Sequence, residues 1–415
     1  VAIMTTTETG ATAAAPASPA RRRATVALLK DHQRRLRQGH PWAYSNEVHM
    51  EAHLKALPRG SIVRLTDAGG TPLGTATFNP HALVAVRMLT TDPTAAIDRA
   101  FLAGRLAKAA ALRARLWDGP FHRLVHAEAD RLPGLVVDRY GDVVVAQLNA
   151  AWIDALADDL VDAIRDTLAP RAVVLRRDSP ARQQEGLEAG DVTVAHGTVD
   201  GPVAIEENGA RFLADVVGGQ KTGWFFDQRD NRAFVAGFAR DARVLDLYTY
   251  GGGFGVLAAM RGAAQVTLVD RSAPALDLAT GAAALNGVAD RVATRKGDVF
   301  DVLEALVAEG ARFDVVIGDP PAFVKSKKDL AAGAKGYRKL TRLMAQVTAP
   351  GGILFAASCS HNVDVPAFAA EVARGLSEAS RTGRVLRTSG AAADHPVHPN
   401  LPESAYLKAQ TLQVD

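Results

Sequence analysis

The feature that most constrains this chain is an alternation of short apolar runs and helical stretches that begins near Val203. Val244-Leu245-Asp246-Leu247-Tyr248 reads as a strand, Gly251 to Gly255 as a glycine turn, and Phe254 to Arg261 as the start of a helix. Val266 to Asp270 is the next strand, followed by a helix through about Asn286, then Val292 to Arg295, Phe313 to Ile317, Ile353 to Ala357, and a terminal strand from Ala405 to Val414. Strand-helix alternation of this kind predicts a doubly wound, mostly parallel α/β sheet with helices on both faces. Ligands of such sheets sit outside the carboxyl ends of the strands, so the residues there are the ones to read for chemistry.

Those strand ends carry a consistent set. The turn holding Gly251, Gly252, Gly253 and Gly255 lets a ligand approach the backbone at a helix N-terminus. Asp246 and Tyr248, at the end of the strand before it, join the candidate cofactor set. Asp270 ends the second strand, nineteen residues after Gly251, where an acid can accept from both ribose hydroxyls of an adenosine. Asp298 follows the third strand, from which a carboxylate can accept from an adenine amino group. The glycines are not spaced as Gly-x-Gly-x-x-Gly, which favours S-adenosylmethionine over NAD.

The fourth strand ends in Asp319-Pro320-Pro321-Ala322-Phe323, a carboxylate, two rigid residues without N–H groups and an aromatic ring, which can clamp a planar base. The bland reading is a proline-terminated strand with a capping Asp. The fifth strand ends in Ser358-Cys359-Ser360, where a lone Cys is more often a small buried apolar residue than a nucleophile. Its position changes the weighing, because Cys359 and Asp319 emerge on the same side and can flank one base. Cytosine C5 is a poor nucleophile until something adds at C6; a thiolate can do that while a protonated acid near N3 stabilises the developing charge. Gly219 to Arg232, dense in polar and aromatic residues, reads as a flap over the cofactor or as a hairpin with a capping Asp. In the flap reading Phe226 covers apolar cofactor surface, and Lys221, Asp227, Gln228 and Arg229 serve its polar groups or substrate phosphate.

The rest of the chain reads as three further parts. Residues 1–23 predict a disordered tail, 24–92 a small β-barrel of short strands broken by Gly and Pro, and 93–202 a compact α+β module, leaving 203–415 for the sheet. That module should hold a helix within Thr94 to Trp117, a hairpin turning at Tyr140-Gly141-Asp142, and a helix from Trp152 to Leu168. The 415 residues carry a net charge of +3, but residues 1–92 alone hold eleven Lys/Arg against six acids, a basic footprint suited to nucleic acid or simply a solvated face. One cysteine excludes an internal disulfide and a thiolate zinc cluster, and the eleven histidines show no metal spacing, so no metal is expected. The absence of a long apolar run and of a signal-like start points to a cytoplasmic protein without a membrane partner. Lys325-Ser326-Lys327-Lys328 reads as a solvated loop, with contact to RNA phosphate as the lesser alternative.

Taken together, Gly219 to Arg232, the Val244 to Gly255 turn, Asp319-Pro-Pro-Ala-Phe, Ser358-Cys359-Ser360 and Ala393-Asp394-His395-Pro396 resemble the family of the bacterial 23S rRNA large subunit methyltransferase I. Gly39 to Glu47 resembles that family's N-terminal PUA domain, and Leu132 to Tyr140 its central module. The resemblance implies a Rossmann-like class I methyltransferase that moves a methyl group from S-adenosylmethionine to cytosine C5 of 23S rRNA, with Cys359 as nucleophile and Asp319 as base-binding acid. Pro320, Pro321, Phe323 and Lys221 would face the substrate. Ala322 stands where a lysine is expected, and His361-Asn362 replaces a glycine-rich turn. Methylation of a purine nitrogen with Cys359 as bystander, and a non-catalytic RNA-binding relative, are the competing expectations. The target base should be unstacked, which favours naked rRNA or an assembly intermediate; a homodimer is left open.

Overall fold

The computed structural model describes residues 23–324 and 326–415. The expected tail therefore lies, but for Arg23, outside the described residues, as does Lys325 of the basic loop.

Three larger sheets and one hairpin follow one another along the chain. The first sheet has the order β1-β3-β4-β5-β2, from β1 (Thr25–Ala27), β2 (Trp42–Tyr44), β3 (Ser61–Thr66), β4 (Pro72–Phe78) and β5 (Val84–Thr90). All its pairings are antiparallel except β1 with β3, and an isolated bridge between Leu28 and Val48 joins the segments that follow its two edge strands. Its core is Val26, Leu36, Ala43, Val63, Leu65, Ala76, Phe78 and Val86.

The second sheet runs β10-β9-β8-β7-β6, from β6 (Phe121–His126), β7 (Leu135–Tyr140), β8 (Val143–Leu148), β9 (Ala172–Arg176) and β10 (Val192–His196). The hairpin at Tyr140-Gly141-Asp142 is present, with Gly141 at φ 70° supplying the left-handed turn residue. The first expected helix is confined to Arg99–Arg113, because Asp98 caps it by accepting from the Phe101 amide at 3.0 Å. The second is broken at Leu156, whose ψ of 25° separates Ala151–Ala155 from Ala157–Leu168.

A short antiparallel hairpin, β11 (Val203–Glu207) and β12 (Ala210–Ala214), leads into the third sheet. That sheet has seven strands in the order β15-β14-β13-β16-β17-β19-β18, from β13 (Arg243–Leu247), β14 (Gln265–Asp270), β15 (Val292–Lys296), β16 (Phe313–Gly318), β17 (Thr348–Ser358), β18 (Gly383–Ser389) and β19 (Lys408–Val414). The five strands from β15 to β17 are parallel, and β19 and β18 add antiparallel at the edge. Alternate residues divide between two cores: Val244, Val266, Leu268, Val315, Ile317 and Phe355 face one layer of helices, and Leu245, Val269, Val316 and Leu354 the other. The terminal strand begins at Lys408 rather than Ala405, since Pro402–Ser404 forms a 3₁₀ turn. β18 was not anticipated; its residues are largely exposed, so it lacks the apolar run that marks a central strand. The chain order reverses on either side of β13, between β14 and β16, and that switch point opens the crevice at the carboxyl ends.

Candidate active site

A cavity of about 400 Å³ lies at that crevice, a size suited to a small-molecule ligand. Its wall begins with the end of β13, where Tyr248 and Tyr250 adopt left-handed backbone at φ 61° and 50°. A non-glycine residue pays for this conformation, and here it turns the chain sharply from strand into the glycine turn. Gly252, at φ 82°, caps the helix Gly253–Met260. Gly255 is needed for closeness instead: a Cβ there would lie 2.2 Å from Leu268 Cδ2.

Asp246 and Gly251 were expected at the cofactor, but neither lines the cavity. Asp246 is buried beneath the turn, accepting from the Gly255 amide at 2.9 Å and the Thr249 hydroxyl at 2.6 Å. Burial raises its carboxyl to about 6 against those two hydrogen bonds, so its work is to shape the turn. Gly251 packs against Trp224 instead of opening to a ligand. Tyr248, Gly253, Asp270 and Asp298 do line the cavity. Asp270 accepts from the Tyr250 and Ser272 amides, and Asp298 caps the helix Val299–Ala308 by accepting from the Phe300 amide at 2.9 Å.

The polar segment before the sheet is a wall of this cavity, formed by buried chain leading through Phe226–Gln228 into the helix Arg229–Ala236. Lys221 and Gln228 line the space, whereas Phe226 and Arg229 do not. Phe226 packs on Tyr140 with ring centroids 5.3 Å apart, in the core beneath the sheet. Arg229 turns away as well, lying over the Trp117 ring and donating to the Phe121 carbonyl. Their neighbours take the places expected of them: Phe225 and Arg232 line the cavity, as do Trp224, Asp227 and Tyr250. Adjacent side chains point to different sides of a tight turn, so composition could locate this segment but not which aromatic faced the ligand.

Opposite lie Asp319, Pro320, Pro321 and Phe323 from the end of β16 and Cys359 from the end of β17. The Cys359 Sγ is 3.9 Å from the Pro320 carbonyl oxygen. Its loop is held on both sides: Ser360 Oγ accepts from the Val324 amide at 3.1 Å and contacts the Tyr337 hydroxyl at 2.7 Å, while Lys408 Nζ donates to the Ser360 carbonyl. Phe323 packs on Tyr337 at 4.8 Å. Burial and the nearby Asp227 carboxylate raise Asp319 to about 7, against Arg232, Gln228 and Lys221. Burial also raises the Cys359 thiol, opposed chiefly by Lys221. Asp227 goes the other way: burial favours its neutral form, but His395, Lys221 and a 2.5 Å hydrogen bond from Tyr406 outweigh it and hold the carboxyl below its usual range. Asp394 and His395 pair at 2.8 Å outside the cavity, and Asp394 accepts from the Arg123 amide, tying this loop to β6.

Among the described residues no cluster of His, Cys, Asp and Glu could hold a metal ion, and no helix is long and apolar enough to cross a membrane. A family model for S-adenosylmethionine-dependent methyltransferases matches residues 194–413, and one for PUA-like domains matches residues 26–91. The ribosomal RNA large subunit methyltransferase I of Alteromonas mediterranea is 38% identical over 397 residues, covering 94% of this chain and 99% of its own length. The protein of that name from Cronobacter sakazakii is 37% identical over 393 residues, covering 92% and 97%. Among solved structures, an S-adenosylmethionine-dependent methyltransferase from Streptococcus mutans superposes with a TM-score of 0.78 at 22% identity over 94% of this chain and 100% of its own. A methyltransferase complexed with S-adenosylhomocysteine gives the same TM-score at 22% identity, over 94% and 99%. With a cavity at the switch point of its third sheet and a PUA-like sheet ahead of it, the chain belongs to the ribosomal RNA large subunit methyltransferase I family of S-adenosylmethionine-dependent methyltransferases.

Proposed function

We propose that this protein methylates cytosine C5 in large-subunit ribosomal RNA, through a covalent bond between Cys359 and C6 of the base. The observation that carries the reading is the company Cys359 keeps: the thiol borders one cavity with the Asp319-Pro320-Pro321 corner and with Asp270 and Asp298 at the neighbouring strand ends. A thiol beside a carboxyl kept partly protonated near neutral pH is the pair that C6 addition requires.

The cavity fits S-adenosylmethionine on its own chemistry. It combines carboxylates at two adjacent strand ends with aromatic surface from Tyr248, Phe225 and Phe300, and Arg232 Nε bordering it is buried without a hydrogen-bond partner. Asp270 would hold the ribose hydroxyls and Asp298 the adenine amino group, with Gly253, Gln228 and Lys221 near its polar tail. When bound, the cofactor supplies an electrophilic methyl group. Pro320, Pro321 and Phe323 orient the base. The Cys359 thiolate adds to C6, the C5–C6 electron pair becomes available at C5, and Asp319 gives its proton to N3. The thiol is a minor thiolate before substrate arrives, and the Lys221 ammonium is the cation placed to favour the charged form.

The PUA-like sheet, in the basic first part of the chain, would supply phosphate contacts that hold the RNA while the target base is unstacked. Nucleoside mass spectrometry of 23S rRNA from cells lacking this gene, incubated with the protein and labelled S-adenosylmethionine, tests the reading directly. Labelled 5-methylcytidine should form with the native protein and vanish with Cys359→Ala. A labelled purine, or 5-methylcytidine made equally well by the variant, would overturn the thiol mechanism.

A further inference from the structure

The C5 reading leaves one atom without a destination, because the carbon that receives the methyl group still carries its hydrogen. The protein has one cysteine, and Asp319 faces the other edge of the base in its proposed role, so neither accounts for that hydrogen.

We propose that Asp227 is the general base that removes the C5 proton and so releases the product. Resting on the C5 reading, this assigns a role to a carboxylate that borders the same cavity as Cys359 and Asp319. Asp227 is 5% exposed, and its two oxygens are treated unequally. Oδ2 accepts from the Tyr406 hydroxyl at 2.5 Å, while the Asp227 carbonyl accepts from the Ala392 amide at 2.9 Å, fixing the residue from two directions. Oδ1 has no hydrogen-bond partner at all. A buried carboxylate oxygen left unsatisfied costs free energy unless a ligand completes it, and the cavity is where a ligand arrives. The two carboxyls of the site are also driven apart. Asp319 retains its proton to near neutrality, whereas His395, Lys221 and Tyr406 keep Asp227 ionised against the burial that opposes it. Divergent environments of this kind separate the acid of a site from its base.

After methyl transfer C5 bears both hydrogen and methyl, and C6 bears the Cys359 sulfur. Asp227 Oδ1 takes the hydrogen as a proton, the C–H electron pair re-forms the C5–C6 double bond, and the C6–S pair leaves on sulfur as thiolate facing Lys221. Asp319 recovers its proton from N3, and the proton on Asp227 passes to water as the product departs, so one proton is released per methyl transferred.

The test uses the full-length protein with cytidine-containing 23S rRNA and methyl-labelled S-adenosylmethionine, resolved on a denaturing gel. Asp227→Asn should still bind S-adenosylmethionine and should accumulate a labelled covalent protein–RNA adduct, with free methylated RNA formed about 100-fold more slowly or worse. Asp227→Glu, which keeps a carboxylate, should restore part of the release. Normal turnover by Asp227→Asn, loss of S-adenosylmethionine binding, or binding without an adduct would each overturn the assignment, the last two by placing Asp227 at the cofactor or before methyl transfer. Native protein with RNA containing 5-fluorocytidine separates the two readings. A trapped adduct upholds C6 addition whatever Asp227 does, and its absence means that the C5 reading itself has failed.

Discussion

Asp319 is an acid of ordinary sequence context whose behaviour is set by what surrounds it. Its folded carboxyl stands at about 7, chiefly through burial and then through Asp227, whereas in the unfolded chain it titrates near the ordinary aspartate value of 3.8. The folded state thus binds the extra proton, so the stability this group supports is present in full below about pH 4 and is lost as pH rises through about 7. Asp319→Asn should flatten that part of the pH–stability curve. Urea denaturation of both proteins between pH 4 and 8 should show the variant gaining on the native chain by about 1–4 kcal/mol across the window. A constant difference between them would mean that the carboxyl is not held protonated. Asp246, raised to about 6 by its own burial, contributes a similar slope to both proteins and cancels in the comparison.

At the scale of elements, the cavity depends on how tightly the helix Gly253–Met260 sits against β14. Gly255 allows that approach, and Asp246 fastens it by accepting from the Gly255 amide. Gly255→Ala would push a methyl group to 2.2 Å from Leu268 Cδ2 and 3.1 Å from Asp246 Oδ2, so the helix must shift. We expect a loss of about 1–3 kcal/mol in denaturant stability, together with weaker S-adenosylmethionine binding by calorimetry. Gly251, two residues before the helix starts, lies where a cofactor glycine is expected and packs against Trp224 instead. A run of four glycines in five positions announces a sharp turn, but which of them faces the ligand depends on the neighbouring layer, here Trp224.

Across the whole molecule, the first two sheets are joined by charge as well as by apolar packing. Arg87 of β5 pairs with Glu128 at 2.7 Å and with Glu185 at 2.9 Å, Glu128 also accepts from Trp42 Nε1, and Glu185 from Asn79 Nδ2. Glu185 is 5% and Arg87 14% exposed, so solvent does little to replace a missing partner. Arg87→Met should leave two largely buried glutamates without their cation and cost about 3 kcal/mol in urea denaturation, with proteolysis between the PUA-like sheet and the second sheet as its structural sign. A change under about 0.5 kcal/mol would show that the joint is held by packing alone. The Asp394 loop performs the same service at the other end, since Arg113 of the second module donates to its carbonyl and Asp394 accepts from Arg123 on β6.

What the sequence determined by itself was the order of elements and the chemistry at strand ends. Alternating apolar runs specify parallel strands because a strand buried on both faces has no other composition, and Asp270, Asp298, Asp319 and Cys359 then fall at the crevice by topology. Tertiary structure alone decided which side chains of a turn look inward, so Phe225 took the place expected of Phe226, and Asp246 proved to be a support beneath the site. It also decided protonation. Asp227 and Asp319 are chemically identical in the sequence, and only the cations, the Tyr406 hydroxyl and the burial that folding gathers around each make one a carboxylate and leave the other partly protonated near neutral pH.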